Sequence, residues 1–218
     1  MKGIEICKSP MEWVKKLKAK PMPTNELLTK YVLVLALIPA IATFIGGSII
    51  GYSGGMMGVS WSYKVPIETG LISAVAYVIM TIIGVYVGGF VVNMLATNFK
   101  SKQNQERAMN LMALSATPAL LAGILNIIPT LGALAMLAGL YGLYILYLGL
   151  PVMMETPKDQ QMTYFIVALV VMVVVSAIIG TVVASLTMSA SYGSMMGGTQ
   201  VSYNMPSGMP SGMPSTYP

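Results

Sequence analysis

With 56% of its 218 residues apolar and only 9% charged, this chain cannot be an ordinary soluble domain, in which about a quarter of residues are charged. Its net charge of +5 does not point to nucleic acid, because the basic residues crowd beside the ends of the uncharged runs 31–63, 69–99, 108–154 and 160–218. The absence of histidine removes the usual general base and the commonest metal ligand, and the single Cys7 leaves no pair for an intrachain disulfide.

From the start of the chain, Lys15, Lys16, Lys18 and Lys20 interrupt any signal-peptide core, so the first span is expected to be retained as an anchor. Ser9, Pro10 and Glu12 supply an N-cap, an N1 proline and a capping-box partner for a short surface helix over 9–20, which Pro21 ends. Trp13, Val14 and Leu17 share one face of it. The segment can therefore lie on an anionic leaflet, where four lysines give about 4 kcal/mol of attraction, or stand as a solvated basic arm.

Five spans follow, at 31–50, 71–95, 108–128, 131–150 and 164–188, each of about 20 residues or more. Only Pro129 and Thr130 join the third to the fourth, which makes these a tight antiparallel hairpin or a re-entrant pair. Eleven Lys and Arg fall on the side of the N-terminus and only Lys64 on the other. That bias predicts an all-α membrane protein with a cytosolic N-terminus and an outside C-terminus. The organisation is then a cytosolic basic arm at 1–30, a five-helix domain at 31–188 and a tail at 189–218. The tail repeats Met-Pro-Ser from Met205, Met209 and Met213 and is expected to be disordered.

Lipid tails are as apolar as leucine, so helix association needs small residues that let backbones approach. Gly84 and Gly88 supply such a pair in the second span, and Ser176, Gly180 and Ala184 a stripe in the fifth. Gly132, Gly139, Gly142 and Gly149 give the fourth span a glycine-rich side. Pro118, inside the third span, removes a backbone donor and frees the carbonyl of Leu114. With a turn at Pro129 and Thr130, equal rise sets Leu114 opposite residue 145 or 146. A hydroxyl of Tyr144 or Tyr147 would then bond near the kink, with Ser115, Thr117 or Tyr141 as neighbours. The alternative places Tyr144 and Tyr147 in the interfacial aromatic belt.

Gly51-Tyr-Ser53-Gly-Gly55 matches G-x-S-x-G, but a serine nucleophile needs a base and the chain offers no histidine, so a glycine-rich turn accounts for it. No catalytic residue and no cofactor is expected. A second reading uses the thioethers of Met56, Met57, Met195, Met196, Met205, Met209 and Met213, soft ligands suited to Cu(I) that fall on the outer side. Coupled transport would need ionisable residues within the spans, and there are none. A passive small-solute pore lined by hydroxyls, Asn126 and backbone carbonyls is the remaining transport alternative.

Residues 96–180 resemble the Yip-domain family of Ypt/Rab-interacting membrane proteins. The resemblance is carried by Ala113-Leu-Ser-Ala-Thr-Pro118, Leu121-Ala-Gly-Ile-Leu-Asn126 and Ile128-Pro-Thr-Leu-Gly132. It continues through Gly139-Leu-Tyr-Gly-Leu-Tyr-Ile-Leu-Tyr147 and Leu148-Gly-Leu-Pro151 to Met154-Glu-Thr-Pro-Lys-Asp159. In the last run Thr156, Pro157 and Asp159 look like N-cap, N1 and N3 of the final helix.

The resemblance implies five membrane helices with the same sidedness as the charge count. It also implies a non-enzymatic protein of the lipid bilayer that acts by binding partners, among them prenylated small GTPases, other membrane proteins or copies of itself. The arm is only about 30 residues long and has Pro21-Met-Pro-Thr24 where trafficking members carry an acidic, tyrosine-containing motif, so the chain looks more like prokaryotic members. The interaction candidates within the domain are Gly84, Gly88, Pro118, Asn126, Pro129, Tyr141, Tyr144, Tyr147, Gly149, Pro151 and Gly180.

Overall fold

The computed structural model describes residues 10–56, 59–128 and 131–196. Helix α1 (Pro10–Ala19) precedes five helices long and apolar enough to cross a membrane. These are α2 (Thr24–Ile50), α3 (Ile67–Ala96), α4 (Gln105–Ala122), α5 (Gly132–Met153) and α6 (Lys158–Met196). Strands β1 (Tyr52–Met56) and β2 (Val59–Tyr63) form an antiparallel hairpin between α2 and α3. The chain is thus a multi-pass membrane protein, with five helices among the described residues that have the length and composition to cross, those containing α4 and α5 included.

Helix α4 is the centre of the bundle, because α2, α3 and α5 all pack on it. Its residues from Ala108 to Leu120 are nearly all buried, Met109, Leu111 and Leu114 among them. Helix α5 lies antiparallel to α4 at close range. A Cβ on Gly142 would meet the Ser115 carbonyl oxygen at 2.3 Å, and one on Gly149 would meet the Leu111 Cδ1 at 2.2 Å. At Gly142 only glycine allows the two backbones this close, and both pairings follow the register that equal rise from Pro129 and Thr130 sets.

Helix α6 touches α3 and α5 through its first half, where Tyr164 and Ala168 are buried, and is exposed along Val170, Val173, Val174 and Ile178. Its 39 residues extend about 58 Å, well beyond a hydrocarbon core of about 30 Å. It continues to Met196, across the start of the expected tail at 189. The repeat at Met205, Met209 and Met213 lies outside the described residues, as do Cys7, Ser9, Met57 and Pro129.

The sequence places a glycine-rich turn at 51–55, whereas the structure makes it a strand. Gly51, at φ 88°, ends α2 and turns the chain, after which Ser53 pairs with Ser62 and Gly54 with Trp61 in the ladder. With ψ at 168° the residue lies in the positive-φ extended region that glycine alone adopts readily. The serine of the G-x-S-x-G pattern is thereby a strand residue, not the apex of a strand-to-helix turn.

A second difference concerns α1. Its apolar face is not left for lipid, since Val14 is 1% exposed and Trp13 and Leu17 pack with it on the core formed by α3, α4, α5 and α6. The helix therefore caps one end of the bundle, with Lys15, Lys16 and Lys20 on the outside.

Candidate functional site

Because five helices alternate in direction, α1, the loop between α3 and α4 and the loop between α5 and α6 come together at one end, and the lysines come with them. Helices α3 and α5 both finish there on a left-handed residue. Lys100, at φ 52°, follows the short 3-10 turn Thr97–Phe99, and Glu155, at φ 54°, follows α5. Neither is glycine, so each conformation costs about 1 kcal/mol and must be held by its surroundings.

Backbone and hydroxyl bonds supply that support. Ser101 N donates to Ala96 O at 2.9 Å and Lys102 N to Met154 O at 2.8 Å, so the two helix ends are tied to each other. Ser101 Oγ donates to Thr156 Oγ1 at 2.9 Å, and Thr156 Oγ1 donates to Leu150 O at 3.2 Å. The Leu150 carbonyl thus accepts from both the Met154 amide and the Thr156 hydroxyl, which fixes the end of α5. The sequence suggested Thr156 as the N-cap of the last helix, which begins instead at Lys158.

Glu155 gathers the charge. Its carboxylate lies 2.6 Å from Lys102 Nζ, 3.3 Å from Lys18 Nζ on α1 and 3.3 Å from Arg107 on α4. Hydrogen bonds from Lys102 and then Lys18 hold its carboxyl down to about 2, far below the usual carboxylate range. One acid among three bases leaves the face positive. Lys16 lies 5.0 Å from the centre of the Trp13 ring, a cation–π contact.

A buried asparagine fixes the short segment that leads from α1 into α2. Asn110 Oδ1 accepts from Met22 N at 3.2 Å, and Asn110 Nδ2 donates to Met22 O at 2.8 Å and to Glu106 O at 2.7 Å. Beside it, Tyr31 Oη lies 2.7 Å from Thr117 Oγ1, and the Tyr164 hydroxyl of α6 donates to Val92 O of α3 while its ring stacks on Phe99 at 5.0 Å. Five elements are thereby locked around one face.

The residues singled out in the sequence scatter around this face rather than forming it. Pro118 is buried in α4, and of the hydroxyls near it in sequence Ser115 donates to Leu111 O and Thr117 to Ala113 O. Tyr144 is 53% exposed and its ring lies 6.1 Å from that of Tyr141, so it points away from the α4 seam. Tyr147 meets Phe165 edge-on at 5.4 Å, and its carbonyl accepts from Gln161 Nε2. Gly149 is buried against Leu111, and Pro151 lies half-buried in the last turn of α5.

Asn126 lies in the turn Gly123–Ile127, where a Cβ on Gly46 would meet its backbone carbonyl oxygen at 2.1 Å. Gly88 is tight against Met112, but Gly84 has nothing within 4 Å of a Cβ. It borders instead a small void of about 60 Å³ shared with Gly88, Met112 and Ser176. Gly180 is helical, and its surroundings lie outside the described residues.

Sequence reasoning missed Glu155 and Asn110. Glu155 is the first charge after the run 108–154, and Asn110 is a polar residue two positions into the same run. Those are the signals that could have found them.

The family model of the Yip1 domain matches residues 4–180, and no curated protein or solved structure gives a match. The match runs from the arm through α1 and the lysine-rich face into α6, and by it this chain belongs to the Yip1-domain family.

Proposed function

We propose that the chain is a non-enzymatic Yip1-type protein that acts by binding partners and organising membrane, with its N-terminus in the cytosol and its C-terminus outside. The observation that carries this reading is the ordered positive face, on which α1 and two loops are joined through Glu155 yet keep an excess of base. Such a face attracts anionic headgroups and acidic protein surfaces within a Debye length of about 8 Å. The arm, 1–30, is the element that meets a partner, and the domain, 31–188, is its membrane platform.

Self-association belongs to the same proposal. Gly88, Gly142 and Gly149 are occupied by contacts within the chain, which leaves Gly84 and Gly139, each with nothing within 4 Å, as glycines open to a second copy. The interfacial position of Tyr144 and the packing roles of Asn126, Pro151 and Gly180 complete the reading.

Crosslinking of the full chain in native membranes, followed by identification of the captured proteins and lipids, tests it. Recovery of a small GTPase or coat component supports partner binding, and recovery of the chain with itself and lipid supports a scaffold. A defined solute leaking from vesicles that contain the pure protein would replace this reading with the transport one. Tags on both ends reporting from one side would overturn the orientation.

A further inference from the structure

Arg107 and Glu155 are the charges that bound the uncharged run 108–154, so both lie where hydrocarbon gives way to lipid headgroups. Folding brings two more bases to them. Lys18 of α1 and Lys102 of the loop between α3 and α4 reach the Glu155 carboxylate, and Lys18 Nζ and Arg107 sit 3.3 Å from the same oxygen, Oε1. These two cations are therefore no more than about twice that distance apart, a range at which like charges repel.

Three bases from three elements meet one acid, which leaves two positive charges unbalanced. Among the described residues none of the three has a second acidic side chain within ion-pair reach. Donors are left over as well, since Arg107 meets Glu155 through one nitrogen of a planar fork whose shape suits phosphate. The cluster is reachable, because the Lys102 side chain is 73% exposed and those of Lys18 and Arg107 are 35% and 25% exposed. Sidedness needs only a number of bases near the ends of the spans. Convergence needs more. Lys102 N donates to Met154 O, which sets Lys102 beside Glu155, and the chain takes left-handed residues at Lys100 and Glu155 around this tie.

We infer that Lys18, Lys102 and Arg107 hold the phosphate of an anionic phospholipid, a phosphomonoester, with Glu155 keeping the three bases together. Two features select this occupant. The depth is that of the headgroup layer, and a phosphomonoester carries about −1.5 to −2 charges at neutral pH, which matches the surplus of two better than a singly charged diester does. The inference rests on the positive face of the partner reading above and names a ligand for it.

The full chain in detergent is mixed with phosphatidic acid, phosphatidylglycerol or phosphatidylcholine, and the lipid retained on it is counted by native mass spectrometry. One phosphatidic acid per chain should be retained, several-fold above the other two. Lys102→Gln and Arg107→Gln should each reduce that retention several-fold. Glu155→Gln keeps an acceptor for the bases but removes the charge that competes with phosphate, so it should raise retention while lowering the melting temperature. A merely structural cluster would lose both together. Retention that does not distinguish phosphatidic acid from the other lipids, that both base variants leave intact, or that an equimolar amount of inorganic phosphate abolishes overturns the inference. The partner reading fails separately, through crosslinking in native membranes that captures neither another protein nor a second copy while phosphatidic acid is still retained.

Discussion

Asn110 grips Met22 by both of its backbone polar groups, accepting from the amide and donating to the carbonyl, across 88 residues of sequence. Because Met22 lies between α1 and α2, this contact sets where the arm enters the bundle. Asn110 is fully buried, so Asn110→Ala strands a donor and an acceptor at once and should destabilise the protein by about 2 kcal/mol. Limited proteolysis supplies the check, with cleavage expected to rise first near Lys18 and Lys20. Unchanged cleavage there would show that the arm is held by its apolar face alone.

The seam between α4 and α5 makes a paired prediction. Gly142→Ala drives a Cβ to 2.3 Å from the Ser115 carbonyl oxygen, which is rigid backbone, whereas Gly139→Ala meets nothing within 4 Å. The first should cost at least about 1–3 kcal/mol through forced separation of the helices. The second should stay within about 1 kcal/mol of the parent, with the helix-propensity gain acting in its favour. Thermal unfolding in detergent separates the two, and equal losses would contradict the close seam.

Much of this architecture is legible in sequence because lipid imposes a simple rule, that long runs without charge become helices. The helix ends are less legible. The first span was expected to start at Tyr31, but Lys30 pairs with Glu26 at 3.0 Å, one helical turn back, so α2 extends into the polar region and begins at Thr24. The positive face was visible only as a lysine count. Its centre, Glu155, depends on partners as far off as Lys18, and no local spacing announces that a glutamate will take a left-handed φ of 54°.

Tyr31 and Thr117 offer a third prediction. Their hydroxyls lie 2.7 Å apart in a part-buried contact between α2 and α4. Tyr31→Phe and Thr117→Val should each lower stability, and their double-mutant cycle should return a coupling of about 0.6–1.5 kcal/mol, the range for hydrogen bonds within membrane bundles and buried sites. Additive losses would mean that each hydroxyl acts through another partner, such as the Ala113 carbonyl that Thr117 also bonds.

The last prediction concerns acid. Folding lowers the Glu155 carboxyl from its ordinary value of 4.5 to about 2, with the hydrogen bond from Lys102 the largest cause and that from Lys18 the next. A group depressed in the folded state stabilises it fully above its unfolded value and loses that contribution as pH falls through the folded one. The contribution of Glu155 should therefore be constant from neutral pH down to about 4.5 and decline toward 2. Glu155→Gln keeps the shape but not the charge, so it should lower the melting temperature at pH 7, and its difference from the parent should shrink as pH approaches 2. Salt at about 1 M, where the screening length is about 3 Å, should shrink the same difference, because the Glu155 side chain is 30% exposed. Trp13 fluorescence should report the loosening of α1 over the same acid range, since Lys18 holds that helix to Glu155. A variant equally weakened at pH 7 and at pH 2 would assign the effect to the strained backbone at this position instead of to the charge.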